Sequence, residues 1–396
     1  MSFLRPVLPA LALLLALAAC DDAGEGVRAS VSVAEAMSGD TVGYARAEAV
    51  RPFVFPEDHG PHPDFKAEWW YVTGNVRATD GTGRRFGVQF TVFRSALAPD
   101  TVAARASGWA TRQLHMAHVA LGDLAAGRFY HAETFSRAAA GLAGASAEPV
   151  AAWLGTARLD QAGPLAPSGA VPLRIRGEAE SARFDLTARP LKPVVLQGDR
   201  GLSQKGAGAG NASYYYAQTR MATAGTVTLP GADGRPAEAV PVEGLTWLDR
   251  EWSTSALAPD QVGWDWFALH LDDGRDLMLY QLRRRDGSKD PLSKGSLIRA
   301  DGEKVGLDAG DYTLTPLATW ESPLGGAYPV RWRLRVPGAG LDLVVTAAMP
   351  DQELDATVRY WEGAVDVSGT ASGVGFLEMT GYGDALDGSA RPTPGA

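Results

Sequence analysis

Asp58-His59-Gly60-Pro61-His62-Pro63-Asp64-Phe65-Lys66-Ala67-Glu68-Trp69-Trp70-Tyr71-Val72-Thr73-Gly74-Asn75-Val76 is the stretch on which the reading of this chain turns. It opens as a loop of Pro, Gly, His and Asp and closes as an aromatic, β-prone run. Three successive aromatics beside one carboxylate do not make a helix surface, because no helical face holds three neighbours. On a strand the side chains alternate, so Trp69 and Tyr71 point one way and Glu68 and Trp70 the other. One face then carries large amphipathic rings and the other a Trp beside an acid. That suits a sheet curled around an apolar space.

The period of two continues outward. After the turn Asp80-Gly81-Thr82-Gly83, the residues Phe86, Val88, Phe90 and Val92 alternate with Gly87, Gln89, Thr91 and Phe93. Leu114 to Leu121 reads as another strand, followed by short ones at Ala157–Leu159, Leu173–Ile175 and Phe184–Leu186. The Ala-rich segment 138–147 fits a short helix or a loop. Further on, Gly263-Trp264-Asp265-Trp266-Phe267 opens a strand that turns at Asp272-Asp273-Gly274 and returns through Leu277 to Leu282. The two halves share one hairpin plan: an aromatic strand, a tight turn, then an apolar strand ending in Arg94 or Arg283. The expected fold is all-β, two antiparallel barrels in series, with domains at 51–255 and 256–385 and a tail at 386–396.

The first 20 residues read as targeting rather than fold. Arg5 precedes an apolar run from Val7 to Ala16, too short to cross a bilayer comfortably, and Leu17-Ala18-Ala19-Cys20 has the shape of a lipoprotein signal. Cys20 is the single cysteine, so lipidation there leaves no thiol for disulfides or metal. Residues 21–50 read as a polar tether. The expected location is outside the cytoplasm, anchored by lipid to a bacterial membrane and facing the periplasm.

The opening stretch, Asp58-His59-Gly60-x-His62-Pro63 with Glu68-Trp69-Trp70-Tyr71-x-Thr73-Gly74, resembles the lipocalin-like family of bacterial carotenoid 1,2-hydratases and AttH-type secreted proteins. Trp247-Leu248-Asp249-Arg250-Glu251-Trp252, Gly263-Trp264-Asp265-Trp266-Phe267, Tyr360-Trp361-Glu362-Gly363 and Gly375-Phe376-Leu377-Glu378-Met379-Thr380-Gly381-Tyr382 extend the likeness across most of residues 51–385. The resemblance implies two lipocalin-like (calycin) barrels. It also implies a hydrophobic small molecule as partner and an ABC export system as a plausible second one.

No zinc-protease helix motif, nucleophile elbow or phosphate loop occurs, and a net charge of −9 gives no case for nucleic acid. His115 and His118 fall on opposite faces of a strand, and His59 and His62 suit turn hydrogen bonding, so neither a metal nor another cofactor is expected. The Gly-rich run 206–210 precedes an aromatic strand rather than a helix and reads as a loop, with Tyr215 in a candidate cavity wall beyond it.

The distinctive feature is Trp beside carboxylate. In a structural reading Glu68, Asp249, Glu251 and Arg250 form ion pairs bracing the barrels. In a ligand reading Glu68, Trp69, Trp70, Tyr71, Tyr215, Arg250, Trp252, Trp264 and Trp266 line a binding site. Hydrating an isolated alkene needs a carboxylic acid that protonates carbon, aromatic faces for the cation, and a placed water. Asp265, between two indoles, fits the acid best by composition, followed by Glu251 and Asp249. Against this, the resemblance puts a His where this chain has Arg250. The leading expectation is therefore binding or handling of a lipid or isoprenoid. The alternative is a hydratase or cyclase acting on an isoprenoid or polyene, a carotenoid 1,2-hydratase-like hydro-lyase. A third is an adaptor whose tryptophans are all core.

Overall fold

A computed structural model describes residues 41–99, 107, 111–231, 236–254, 257, 258 and 260–382. The targeting segment with Cys20, most of the tether and the 386–396 tail lie outside the described residues. Two antiparallel sheets and two 3-10 turns make up the regular structure, with no α-helix among the described residues.

The first sheet begins with four long strands, β1 (Ala67–Ala78), β2 (Arg85–Ala96), β3 (Gln113–Asp123) and β4 (Arg128–Arg137). Shorter ones follow: β5 (Ala143–Ala147), β6 (Val150–Leu154), β7 (Ala157–Gln161), β8 (Leu173–Ala179) and β9 (Ala182–Pro190). β10 (Val195–Leu196) and β11 (Leu202–Gln204) are two short pieces along β12 (Ala212–Leu229), and β13 (Glu238–Ser253) completes the set. Their order is β4-β3-β2-β1-β13-β12-β9-β8-β7-β6-β5. The sheet curls until β3 and β4 approach β6 and β8, a nearly closed barrel.

The second sheet holds β14 (Gln261–Leu271), β15 (Asp276–Arg284), β16 (Lys294–Ile298), β17 (Lys304–Asp308) and β18 (Thr313–Glu321). It continues with β19 (Ala327–Val336), β20 (Leu341–Ala347), the short β21 (Glu353–Leu354), β22 (Tyr360–Gly369) and β23 (Gly373–Thr380). In the order β17-β16-β15-β14-β23-β22-β20-β19-β18 these form a half-barrel. The all-β, two-barrel expectation holds. Segment 138–147 contains no helix: its Ala143–Ala147 is β5, paired to β6 with Gly144 opposite Trp153, where a Cβ would come within 2.7 Å of the indole, so pairing overrides a composition poor in strand formers.

Alternation along each strand sorts side chains into separate cores. Trp70, Val72 and Val76 of β1 join Phe86, Val88 and Phe90 of β2 inside the first barrel. Phe267 and Leu269 of β14 join Trp332 and Trp361 inside the second. Tyr71, Trp247, Trp266, Met278 and Phe376 lie on the opposite faces and form a third cluster between the sheets. Each fully buried large apolar side chain contributes about 1.5–3 kcal/mol relative to exposure, so all three clusters weigh in the fold. The face of β1 that carries Trp70 joins the core of the first barrel, and the face that carries Trp69 and Tyr71 packs in the cluster between the sheets.

The loop of that opening stretch is clamped against the barrel. Glu68 is ion-paired to both Arg94 and Arg250, and all three are buried. Arg94 also donates to the carbonyls of His62 (2.9 Å) and Phe65 (2.7 Å), and Arg250 to that of Gly60 (2.6 Å). The Arg250 guanidinium lies 3.9 Å from the Trp70 ring, and His62 stacks on Trp252 at 3.7 Å. Gly60 is required here by space, since a Cβ would come within 2.7 Å of Ala147 Cβ on β5.

Candidate active site

Register builds the site. Across β3, β2, β1, β13 and β12, direct partners place Met116, Phe93, Trp69, Glu251 and Tyr215 in one row on the outer face of the first barrel. The adjacent row on that face carries His118, Thr91, Tyr71, Asp249 and Ala217. On the second sheet, Glu362, Glu378, Trp266 and Tyr280 stand in a row across β22, β23, β14 and β15. These faces enclose a cavity of about 290 Å³, whose walls include Trp69, Tyr71, Phe93, Tyr215, Trp264 and Trp266 together with Asp249, Glu251 and Glu378.

The carboxyls in and behind these walls differ in their partners. Burial pushes Asp249 up to about 8, although hydrogen bonds from Trp247 and Tyr215 oppose the rise. Trp247 Nε1 donates to Asp249 Oδ1 at 2.9 Å. Burial likewise raises Glu378 to about 7, against the Trp264 indole, whose Nε1 donates to Oε1 at 2.7 Å. Glu362 is raised well above the usual carboxylate range by burial and by the charge of Glu378. Glu251 is different: Lys205 Nζ lies 3.1 Å from its Oε1, and Ser213 Oγ donates to the same oxygen. That ammonium sits 4.4 Å from the Tyr280 ring centroid. At neutral pH the cavity thus holds a protonated carboxylic acid, Asp249, next to an ion pair and among aromatic faces.

Of the residues singled out from sequence, Glu68, Asp249, Glu251, Trp69, Tyr71, Tyr215, Trp264 and Trp266 meet at the cavity. Asp265 does not. It points from β14 to the opposite face, where Arg283 Nη1 lies 2.5 Å away and Tyr382 Oη donates at 2.9 Å. Its flanking indoles, Trp264 and Trp266, face the cavity because neighbours on a strand point apart. Trp70, Arg250 and Trp252 also fall on the far side, and the Glu68 carboxylate is spent on its two arginines.

Four groups at the cavity were not among the site residues expected from sequence: Lys205, His118, Tyr360 and Glu378. Lys205 arrives on the Gly-rich loop, anchored by its own N–H on Asn211 O at 2.8 Å. His118 Nε2 is 2.9 Å from Glu133 Oε1, and its Nδ1 is 2.7 Å from Tyr360 Oη, across the two sheets. The acid of Gly375-Phe376-Leu377-Glu378 was the most legible of the four, two residues from Phe376 on the same face. Among the described residues no group of three or more His, Cys, Asp or Glu is arranged to hold a metal ion.

The AttH-like family profile matches residues 46–382. Kievitone hydratase of Fusarium solani subsp. phaseoli is 26% identical over 208 residues, 52% of this chain and 56% of that protein. The chain thus aligns with little more than half the length of that relative. A crystal structure of an AttH candidate from Nitrosomonas europaea superposes with TM-score 0.72 at 35% identity, covering 85% of this chain and 99% of that one. Kievitone hydratase of Nectria haematococca superposes with TM-score 0.61 at 18% identity, covering 90% of this chain and 98% of that one, a likeness of fold.

Proposed function

The chain belongs to the AttH-like family, and from that premise we propose that it is a hydratase-type enzyme, adding water across a carbon–carbon double bond of an apolar substrate. The observation that carries this reading is Asp249, an acid still protonated near neutral pH and exposed to an aromatic cavity. The hydratase relative supports the same reaction class. A carrier for greasy compounds needs the walls of this cavity but gains nothing from its acids, so the balance moves from binding alone to catalysis.

The chemistry runs in two steps. The Asp249 O–H bond breaks as its proton joins one alkene carbon, and the π pair becomes the new C–H bond. The other carbon becomes cationic and is stabilised by ring faces such as those of Trp69, Trp266 and Tyr215. A water oxygen then bonds to that carbon and gives a proton to a carboxylate. Glu378, titrating at about 7, suits that acceptor role. Proton transfer from Glu378 back to Asp249 restores the start. Weak acids protonate carbon only when the cation is well stabilised, so the preferred substrate carries a trisubstituted alkene, as isoprenoids do. A cavity of about 290 Å³ takes the reacting end of such a molecule.

The test is incubation of the purified protein with geraniol and farnesol in D₂O, followed by mass spectrometry. Alcohol products carrying one carbon-bound deuterium are expected from the wild type. Absence of both alcohol and deuterium uptake removes the hydratase reading. Lipid anchoring at Cys20, exposure to the periplasm and partnership with an ABC exporter remain proposals from the signal and the family resemblance. Metabolic labelling with a palmitate analogue that leaves the chain unlabelled argues against the anchor.

A further inference from the structure

One carboxyl beside the cavity has no hydrogen bond of ordinary geometry among the described residues. Glu362 is fully buried on β22, and neither of its carboxyl oxygens makes a hydrogen bond of normal length and angle. Tyr71 Oη, buried on the facing sheet, is in the same condition. Yet these groups sense each other. Burial and the charge of Glu378 raise Glu362, while the phenols of Tyr71 and Tyr360 pull it part of the way back. Buried polar atoms are rarely left unbonded, and a water that bridges two such groups is the usual way to satisfy them.

We propose that Glu362, Tyr71 and Tyr360 form a water site in the cavity wall and that its water is the nucleophile of the hydration. This rests on the hydratase reading above. His118 Nε2 lies 2.9 Å from Glu133 Oε1 and its Nδ1 2.7 Å from Tyr360 Oη, which holds the Tyr360 phenol in place beside Glu362. The phenols of Tyr71 and Tyr360 both face Glu362, and that of Tyr71 faces Glu378 as well. A water among them takes a phenol proton and gives one to a carboxyl oxygen. Tyr71 and Tyr360 reach the cavity, so the water meets the apolar space from one side. Glu378, the direct cross-strand partner of Glu362, stands beside it. As the water oxygen bonds to the carbocation, one O–H bond breaks and that proton passes to Glu378.

A crystal structure of the wild type at a resolution that orders solvent, together with Glu362→Met and Tyr71→Phe, tests this. The wild type is expected to show a water within hydrogen-bonding distance of Glu362 and Tyr71, and a dry site overturns the proposal whether or not the variants fold. With geraniol in D₂O, both variants are expected to form alcohol at least tenfold more slowly. They should still incorporate deuterium, because the cation returns to alkene when water is misplaced. An unchanged ratio of alcohol to deuterated alkene in both variants also overturns it. If the wild type neither hydrates nor exchanges, the proposed function falls and takes the nucleophile role with it, while the crystal still decides the water site.

Discussion

Glu68 and Asp249 stand on adjacent strands, are both buried, and hold their protons oppositely. Glu68 points into the end of the first barrel. Burial would raise it, but Arg250, His62 and Arg94 overcome that and hold it well below the usual carboxylate range. Asp249 points outward to the space between the sheets, where burial dominates and lifts it to about 8. Both belong to Trp-rich, acid-bearing segments of sequence. What separates them is the face of the strand, and with it the company of arginines or of indoles. Burial by itself does not decide whether an acid is structural or reactive.

The sharpest way to break this contrast is to neutralise each acid in turn. Asp249→Asn is expected to fold normally, since the native group is already uncharged at neutral pH, yet to lose roughly 10²–10⁴-fold in hydration rate. An assay with geraniol, beside a thermal melt, separates the two effects. Glu68→Gln is expected to leave two buried guanidiniums uncompensated and cost about 3–5 kcal/mol of stability, read by urea denaturation. If Glu68→Gln melts like the wild type, the barrel-end ion pair is not what holds the opening loop.

Acidity offers a third, smaller effect. The folded chain keeps the Asp249 proton that the unfolded chain releases near pH 3.8, so it binds more protons between pH about 4 and about 8. This contribution to stability is fully present below that window and is lost as pH rises through it. Asp249→Asn should therefore flatten the decline of melting temperature between pH 4 and 8, and wild-type hydration should fall above about pH 8. A profile that stays level to pH 10 excludes Asp249 as the proton donor. The smallest expected change is in Lys205→Met. Lys205 lowers Asp249, so its removal should move the alkaline limb of the pH profile upward by up to about one unit. A downward shift would mean that Lys205 acts on the acid by some route other than its charge.

Much of the site was legible. The i, i+2 spacing of Trp247, Asp249 and Glu251 puts them on one face, and Trp69 and Tyr71 follow by the same rule. For Asp265 the alternation already put the two flanking indoles on the face opposite its carboxyl, so composition favoured it and the pleat did not. The hairpin plan that ends strands in Arg94 and Arg283 already contained the partners of Glu68 and Asp265. Lys205 gave no signal, since a lysine in a Gly-rich loop has no period from which to infer its direction.

Sequence alone determined the strands, their alternation, the two-barrel plan and the family resemblance, because backbone pleat and turn chemistry act over a few residues. Only the tertiary structure decided which face is solid and which is hollow. Tyr71 and Asp249 meet Glu378 and Tyr360 across more than a hundred residues of chain, and the desolvation that sets their protons exists only once the two sheets have closed on each other.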